Sequence, residues 1–334
     1  MKRIRIRPLG FLFLLNTALL AALVAALIWR FAAPAAQPSP PPARAAASLP
    51  PVTEALPPVT EAPFQAMPVA QAPATEPPAI AADWYLARCE RLRRDLTAYG
   101  GYADAAAVEA ALQAMELDPE GKMVALTFDD GPDPRHTPQV LALLRQYNAR
   151  ATFFIVGQNI PGNEALLREI LGCGCEIGNH TQAAHTNLRD VSADEARAAI
   201  VEVNDALYDL LGYDTCLLRP PYGSYRTEDG RIRELARELG MSIIMWRRSV
   251  HDSHVPTPAA EEIAARALLE VDEDGGRLDG AILLLHDRYD ETVEALAAIL
   301  PALVERGYQL VTVSELLMST EGGMNPGGVY RCRD

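Results

Sequence analysis

From residue 121 onward the chain alternates short apolar runs with longer amphipathic stretches, and this alternation restricts it to folds built from βα units. The apolar runs fall at 123–128, 151–156, 176–179, 215–218, 241–246, 281–285 and 308–313. Between them, helices are predicted at 138–147, 164–171, 193–211, 231–239, 259–270 and 292–306. Ser192, with Glu195 three residues on, forms a capping box for the third of these. About seven units in roughly 200 residues predict an α/β fold of the irregular (β/α) barrel kind, smaller than a full eightfold one. A doubly wound open sheet is the alternative that periodicity leaves open.

The rest of the 334 residues reads as appendages. Lys2, Arg3, Arg5 and Arg7 precede an apolar stretch from Leu9 to Trp29, closed by Arg30. Residues 1–30 are therefore predicted to be an N-terminal membrane anchor, since the stretch matches the ~20 residues that span a bilayer and exceeds the ~7–15 of a signal core. The rival reading is a secretory signal cleaved near Ala33-Pro34-Ala35. In both, the basic flank stays inside and the remainder is exported. The predicted location is thus the cell membrane, single-pass, with the folded domain on the extracytoplasmic side, or secretion after cleavage.

Residues 31–82 are rich in Pro and Ala, and 14 of the 26 prolines fall within 34–78, where Pro-Pro-Val-Thr-Glu-Ala occurs twice. Proline removes donors and fixes φ, so this segment is predicted to be an extended disordered linker that lifts a domain off the membrane. Residues 83–120 read as a helical segment with apolar positions Trp84, Leu92, Leu96, Val108, Leu112 and Met115 and a break at Gly100-Gly101. The main domain is set at 121–318 and a C-terminal tail at 319–334. A net charge of −14 argues against nucleic-acid binding. The five cysteines contain no C-x-x-C pair, which argues against a structural zinc finger and allows one or two disulfides in an exported domain.

The polar residues Asp129, Asp130, His180, Arg219, Asp252 and His286 all lie at or just past the end of an apolar run, where barrels of this kind hold their active sites. Asp-Gly-Pro after Asp129 is by itself ordinary turn chemistry. Adjacent strand residues point to opposite faces, however, so the two aspartates are expected to have different partners, one a metal and the other a free base.

Five motifs resemble those of the polysaccharide deacetylases, the NodB-homology domains of carbohydrate esterase family 4. They are Thr127-Phe128-Asp129-Asp130-Gly131-Pro132, Gly178-Asn179-His180-Thr181 with His185, Arg219-Pro220-Pro221-Tyr222-Gly223, Ile282-Leu283-Leu284-Leu285-His286-Asp287, and the closing stretch from Gly307 to Leu317. The resemblance covers about Lys122 to Leu317 and implies a metal-dependent hydrolase that removes N-acetyl groups from a cell-envelope polysaccharide, with peptidoglycan as the first guess. It implies that Asp130, His180 and His185 hold a divalent metal, Zn²⁺ first and Co²⁺ or Mn²⁺ as alternatives. Two imidazoles and a carboxylate suit zinc and leave a position open for water. Asp129 would be the general base, Arg219 the cation that orients it, and the Tyr222 backbone N–H, just after Pro221, an oxyanion donor. His286 would protonate the departing amine, held by Asp252. The implied partners are an acetylated glycan and, through the N-terminal helix, the membrane. Two competing readings are an O-deacetylase of a glycan such as xylan and a non-catalytic glycan-binding relative.

Two departures from the family pattern stand out. Four residues, not three, separate His180 from His185, so a regular helix would turn the two rings roughly 140° apart, and an irregular turn or a π-bulge is expected instead. The stretch Ser249-Val250-His251-Asp252-Ser253 keeps one aspartate of a further family motif, Asp-x-x-Asp-Trp, but lacks its first aspartate and its tryptophan, which removes a wall on which a sugar could stack. His251 and His254 are expected to be exposed, and His136 to be a plain loop residue.

Overall fold

The computed structural model of the protein describes residues 79–183, 186–228, 230–318 and 323–333, with side chains in the first helix from Leu86 onward. The predicted anchor (1–30) and nearly all of the predicted linker lie outside the described residues, as do His185 and the side chain of Trp84. Among the described residues, no helix is long and apolar enough to cross a membrane.

The described strands are β1 (Met123–Gly131), β2 (Thr152–Ile155), β3 (Glu176–Asn179), β4 (Leu217–Leu218), β5 (Ser242–Ile244), β6 (Arg248–Ser249), β7 (Ile282–His286), β8 (Gln309–Val311) and β9 (Val329–Tyr330). They form one parallel sheet in the order β6-β7-β1-β2-β3-β4-β5-β9, with β8 against the start of β1. Strands β5 and β6 belong to one run of chain that pairs first with β4 and then with β7. The sheet therefore curls back on itself, as the barrel expectation requires and an open sheet does not. Beyond β9, Arg333 N–H donates to the Gly280 carbonyl at 2.7 Å and Cys332 bridges Ala281, so the C-terminal stretch is stitched to the start of β7.

The helices that cover the sheet are α3 (Thr137–Gln146), α4 (Glu164–Gly172), α5 (Ala193–Leu211), α6 (Arg231–Glu238), α7 (Ala260–Ala267) and α8 (Asp290–Glu305), with α9 (Val313–Met318) after β8. The Ser192–Glu195 capping box is present, so the start of α5 is where the sequence places it. Along β1 alternate residues serve different cores: Val124, Leu126 and Phe128 pack toward the helices, whereas Met123 and Ala125 join Leu217, Ile282 and Val311. Strands buried on both faces read as unbroken apolar runs. The two-residue strands β6 and β9 are too short to leave such a signature.

The helical segment before the barrel is α1 (Ala79–Tyr99) and α2 (Ala105–Ala114), broken at Gly100-Gly101 with Gly101 at φ +69°. Leu92 and Leu96 are fully buried and Val108 and Met115 nearly so, each full burial of a leucine contributing about 1.5–3 kcal/mol. A buried ion triad fastens α1 to the barrel: Arg88 Nε donates to Glu315 Oε1 at 2.7 Å, and Arg150 Nε to Glu315 Oε2 at 2.9 Å. Burial alone would raise the Glu315 carboxyl, but Arg150, Arg88 and the Thr312 N–H together hold it down at about 2. All five cysteines are free thiols, so neither disulfide allowed by their number is formed.

Candidate active site

Strand β1 delivers both aspartates, and a bulge separates them. Asp129 is still in register, opposite His286 of β7 and Phe154 of β2, but the register shifts between Asp129 and Gly131 and Asp130 takes φ +71°. A left-handed non-glycine residue is uncommon and turns its side chain away from the regular pleat. Asp129 accordingly meets Arg219 and Asp130 meets Arg288, while both carboxylates also face the His180 ring.

Asp129 is buried, and its Oδ1 accepts from Arg219 Nη1 at 2.8 Å. Arg219 has no exposed surface at all. Its guanidinium is fully spoken for: Nη1 also donates to Thr127 Oγ1 (2.7 Å), Nε to the Ile244 carbonyl (3.0 Å), and Nη2 to the Met245 carbonyl (3.3 Å), while the group lies 4.0 Å over the Phe154 ring. Burial pulls this guanidinium below its ordinary pKa and Asp129 opposes the pull. Thr127, which opens the first motif but carries no role in the sequence reading, is thus the group that seats the arginine; its own hydroxyl donates to the Leu283 carbonyl at 2.6 Å.

His180 follows β3. Its Nδ1 lies 2.6 Å from the Arg219 carbonyl oxygen, which can only accept, so Nδ1 carries the proton and Nε2 presents its lone pair. That Nε2 is 3.5 Å from Asp130 Oδ1 and 3.7 Å from Asp129 Oδ2. In the neutral ring three acceptor atoms face one another, an arrangement that a cation relieves, and nitrogen with carboxylate oxygen is a donor set that suits zinc. Among the described residues no group of three metal-ligating side chains is assembled, the third expected ligand, His185, being outside them. The chain leaving His180 is not helical: Thr181 sits at φ +67° and Gln182 N–H donates to the Ala199 carbonyl, so the stretch begins as the irregular turn that the longer histidine spacing calls for.

Opposite, Asp252 is fully buried and grips His286 twice, Oδ1 at 2.8 Å from Nδ1 and Oδ2 accepting the backbone N–H at 2.7 Å, with Thr292 Oγ1 donating to Oδ2 at 2.9 Å. Burial disfavours the imidazolium, but the Asp252 hydrogen bond and charge outweigh it, with Asp129 and Asp130 adding, and the His286 pKa is raised. Tyr222 lies in a 3-10 turn, Pro221–Gly223, with φ +59° and an exposed ring.

Some functional-site neighbours escaped sequence reasoning. Asp287 is fully buried under the β1 turn, where the Thr137 hydroxyl donates to Oδ2 and Oδ1 has no hydrogen-bond partner; burial pushes its pKa up to about 7. A Cβ on Gly131 would stand 2.6 Å from its carboxylate, so only glycine fits there. Position directly after His286 was the available signal. His136 is not a plain loop residue but is buried at the start of α3, its ring bonded to Asp133 (2.8 Å) and Asp290 (3.1 Å). The rings of His251 and His254 lie 4.5 Å apart in their loop.

A parallel α/β barrel that brings a carboxylate pair, two histidines and a buried arginine to its strand ends has the groups that acid–base chemistry on a bound substrate needs. The family model for polysaccharide deacetylase matches residues 116–244. The chain is 37% identical over 215 residues to a peptidoglycan-N-acetylglucosamine deacetylase of Bacillus cereus, covering 60% of this chain and 96% of that one. It is 34% identical over 200 residues to the peptidoglycan-N-acetylmuramic acid deacetylase PdaC of Bacillus subtilis, covering 60% of this chain and 40% of that protein. Among solved structures, a family 4 acetyl xylan esterase from Clostridium thermocellum in complex with a cobalt ion superposes with a TM-score of 0.55 at 33% identity, covering 63% of this chain and 98% of the other. The chain belongs to the polysaccharide deacetylases of carbohydrate esterase family 4, hydrolases acting on amides.

Proposed function

We propose that the protein hydrolyses N-acetyl groups on a cell-envelope glycan, peptidoglycan in the first instance, in a metal-dependent reaction. The observation that carries this reading is the buried Asp129, held by Arg219 on one oxygen and directed by the other toward His180, with the Asp252-bound His286 in register beside it. Binding alone needs neither a base nor an acid. The names of the relatives support peptidoglycan.

Asp130, His180 and His185 are the residues that would hold the metal, which supplies Lewis acidity toward water and the acetyl carbonyl. Asp129 accepts a proton as the water oxygen bonds to the acetyl carbon. Arg219 fixes that carboxylate, holding Oδ1 at 2.8 Å so that Oδ2 faces the site. The Tyr222 backbone N–H, presented by its left-handed turn beside Pro221, donates to the developing oxyanion. His286 gives its proton to the sugar nitrogen as the C–N bond breaks, because an amide anion is a very poor leaving group. Acetate and a free amine result. Asp252 keeps the ring protonated and correctly oriented until then.

The organisation proposed around this domain is a membrane anchor at 1–30, a linker at 31–82 and an extracytoplasmic domain at 121–318 fastened to the helical segment 83–120. The basic flank and the proline content support it. The same residues would serve an O-deacetylase, a reading favoured by the likeness to an acetyl xylan esterase. Acetate release from a chitin oligosaccharide, peptidoglycan and acetylated xylan, with and without a chelator, tests all of this. Chelator-sensitive release from the amide substrates is expected; none from any acetylated glycan with metal bound would sink the proposal.

A further inference from the structure

Beside the site lies a positive charge that deacetylation does not use. Arg288 follows Asp287 in the turn from β7 to α8, is exposed, and its Nη1 stands 3.1 Å from Asp130 Oδ2. It lines a cavity of about 480 Å³ together with Asp130, Asp133, Gln158, Asn159 and Asn163. The Asp133 carboxylate is committed to its own loop, accepting at Oδ1 from the Arg135 and His136 N–H groups and contacting the His136 ring. Asn159 and Asn163 turn their amides to the carbonyls of Asp130 and Asn159, at 2.7 and 2.9 Å. Arg288 is thus the one cation among the described residues lining this cavity, set against the carboxylates of Asp130 and Asp133.

Resting on the deacetylase reading above, we propose that Arg288 recognises a carboxylate on the glycan, so that the enzyme prefers an acetylated amino sugar with an acidic substituent over a neutral one. A divalent cation and a guanidinium compete for the same Asp130 charge. Once the cation is held, the arginine faces the cavity with its ion pair weakened, and an entering carboxylate restores the balance through two parallel N–H···O bonds. The O-lactyl carboxylate of N-acetylmuramic acid sits on the carbon next to the one bearing the acetamide. A residue that reads it must lie within one side-chain length of the metal-facing carboxylate, and Arg288 does.

The test uses zinc-loaded wild type, Arg288→Gln and Arg288→Lys with three probes: a chitin oligosaccharide, a peptide-free oligosaccharide alternating glucosamine with muramic acid, and its stem-peptide form, in which the lactyl group is amidated. Affinity by calorimetry and acetate release are both read. The wild type is expected to bind a muramic acid probe more tightly than chitin, Arg288→Gln to reduce that preference about tenfold, and Arg288→Lys to restore part of it. Preference for the peptide-free probe assigns the carboxylate to the lactyl group; preference only for the stem-peptide form assigns it to the peptide. A wild type without preference, an unchanged preference in Arg288→Gln, or an equal loss on all three probes overturns the proposal. Arg288-dependent binding with no acetate released from any probe would remove the deacetylase reading and leave the carboxylate site standing.

Discussion

Asp129 and His286 stand directly opposite each other on neighbouring parallel strands, yet each is bound by its own group of opposite charge, Asp129 by Arg219 from beyond β4 and His286 by Asp252 from just beyond β6, the strand next to its own. A base and an acid can coexist a strand apart because each has its own counter-charge to hold it in place.

Replacing the base separates chemistry from metal binding. Asp129→Asn keeps the shape of the site and removes the proton acceptor, so kcat is expected to fall by about 10²–10⁴ with metal content retained. Full activity in the variant, measured beside its bound zinc, would refute the proposed base.

The Asp252 carboxylate raises the His286 pKa, so the protonated acid persists to higher pH than an ordinary histidine. Asp252→Asn lowers that pKa again. The alkaline limb of the kcat/KM profile should therefore move to lower pH while the acid limb stays; an unmoved alkaline limb assigns the leaving-group proton to another residue.

His185 is tested by metal analysis. His185→Ala should bind zinc 10-fold or more weakly by the rough measure of a lost ligand, and chelation should abolish activity in the parent protein. Undiminished zinc in the variant would end its assignment as a ligand.

The Arg88–Glu315–Arg150 triad predicts a stability change far from the site. Arg88→Met leaves Glu315 with a single guanidinium partner and should cost roughly 3 kcal/mol, about 6–12 °C in Tm. Because the folded pKa of Glu315 is depressed, its contribution is fully present above the unfolded value of about 4.3. It is lost as pH falls toward about 2, so the gap between variant and parent in thermal melts should narrow on acidification.

What the sequence made legible was local. The capping box at Ser192 and Glu195, the unbroken apolar runs and the polar residues closing them are set by neighbours a few positions apart, and the fold follows them closely. Partnerships across the chain left no such trace. Arg88 and Glu315 are 227 residues apart, and nothing beside either announces the other. Thr127 reads as one more β-former until the barrel sets it against an arginine, and the neighbours of His136 and Asp287 do not reveal their burial. Asp252 stands in an incomplete motif, and its grip on the backbone N–H and the Nδ1 of His286 is visible only in three dimensions.

One guanidinium, that of Arg219, ties the carboxylate ending β1 to the carbonyls of Ile244 and Met245 that end β5. The position of the base is consequently geared to the curvature of the wall: a substitution that relaxes the sheet near Ile244 also moves the guanidinium that holds Asp129. Tuning such an enzyme toward a new glycan by remodelling strands would detune its chemistry. The loops above the rim, Arg288 among them, are where its selectivity can drift without retuning the engine beneath.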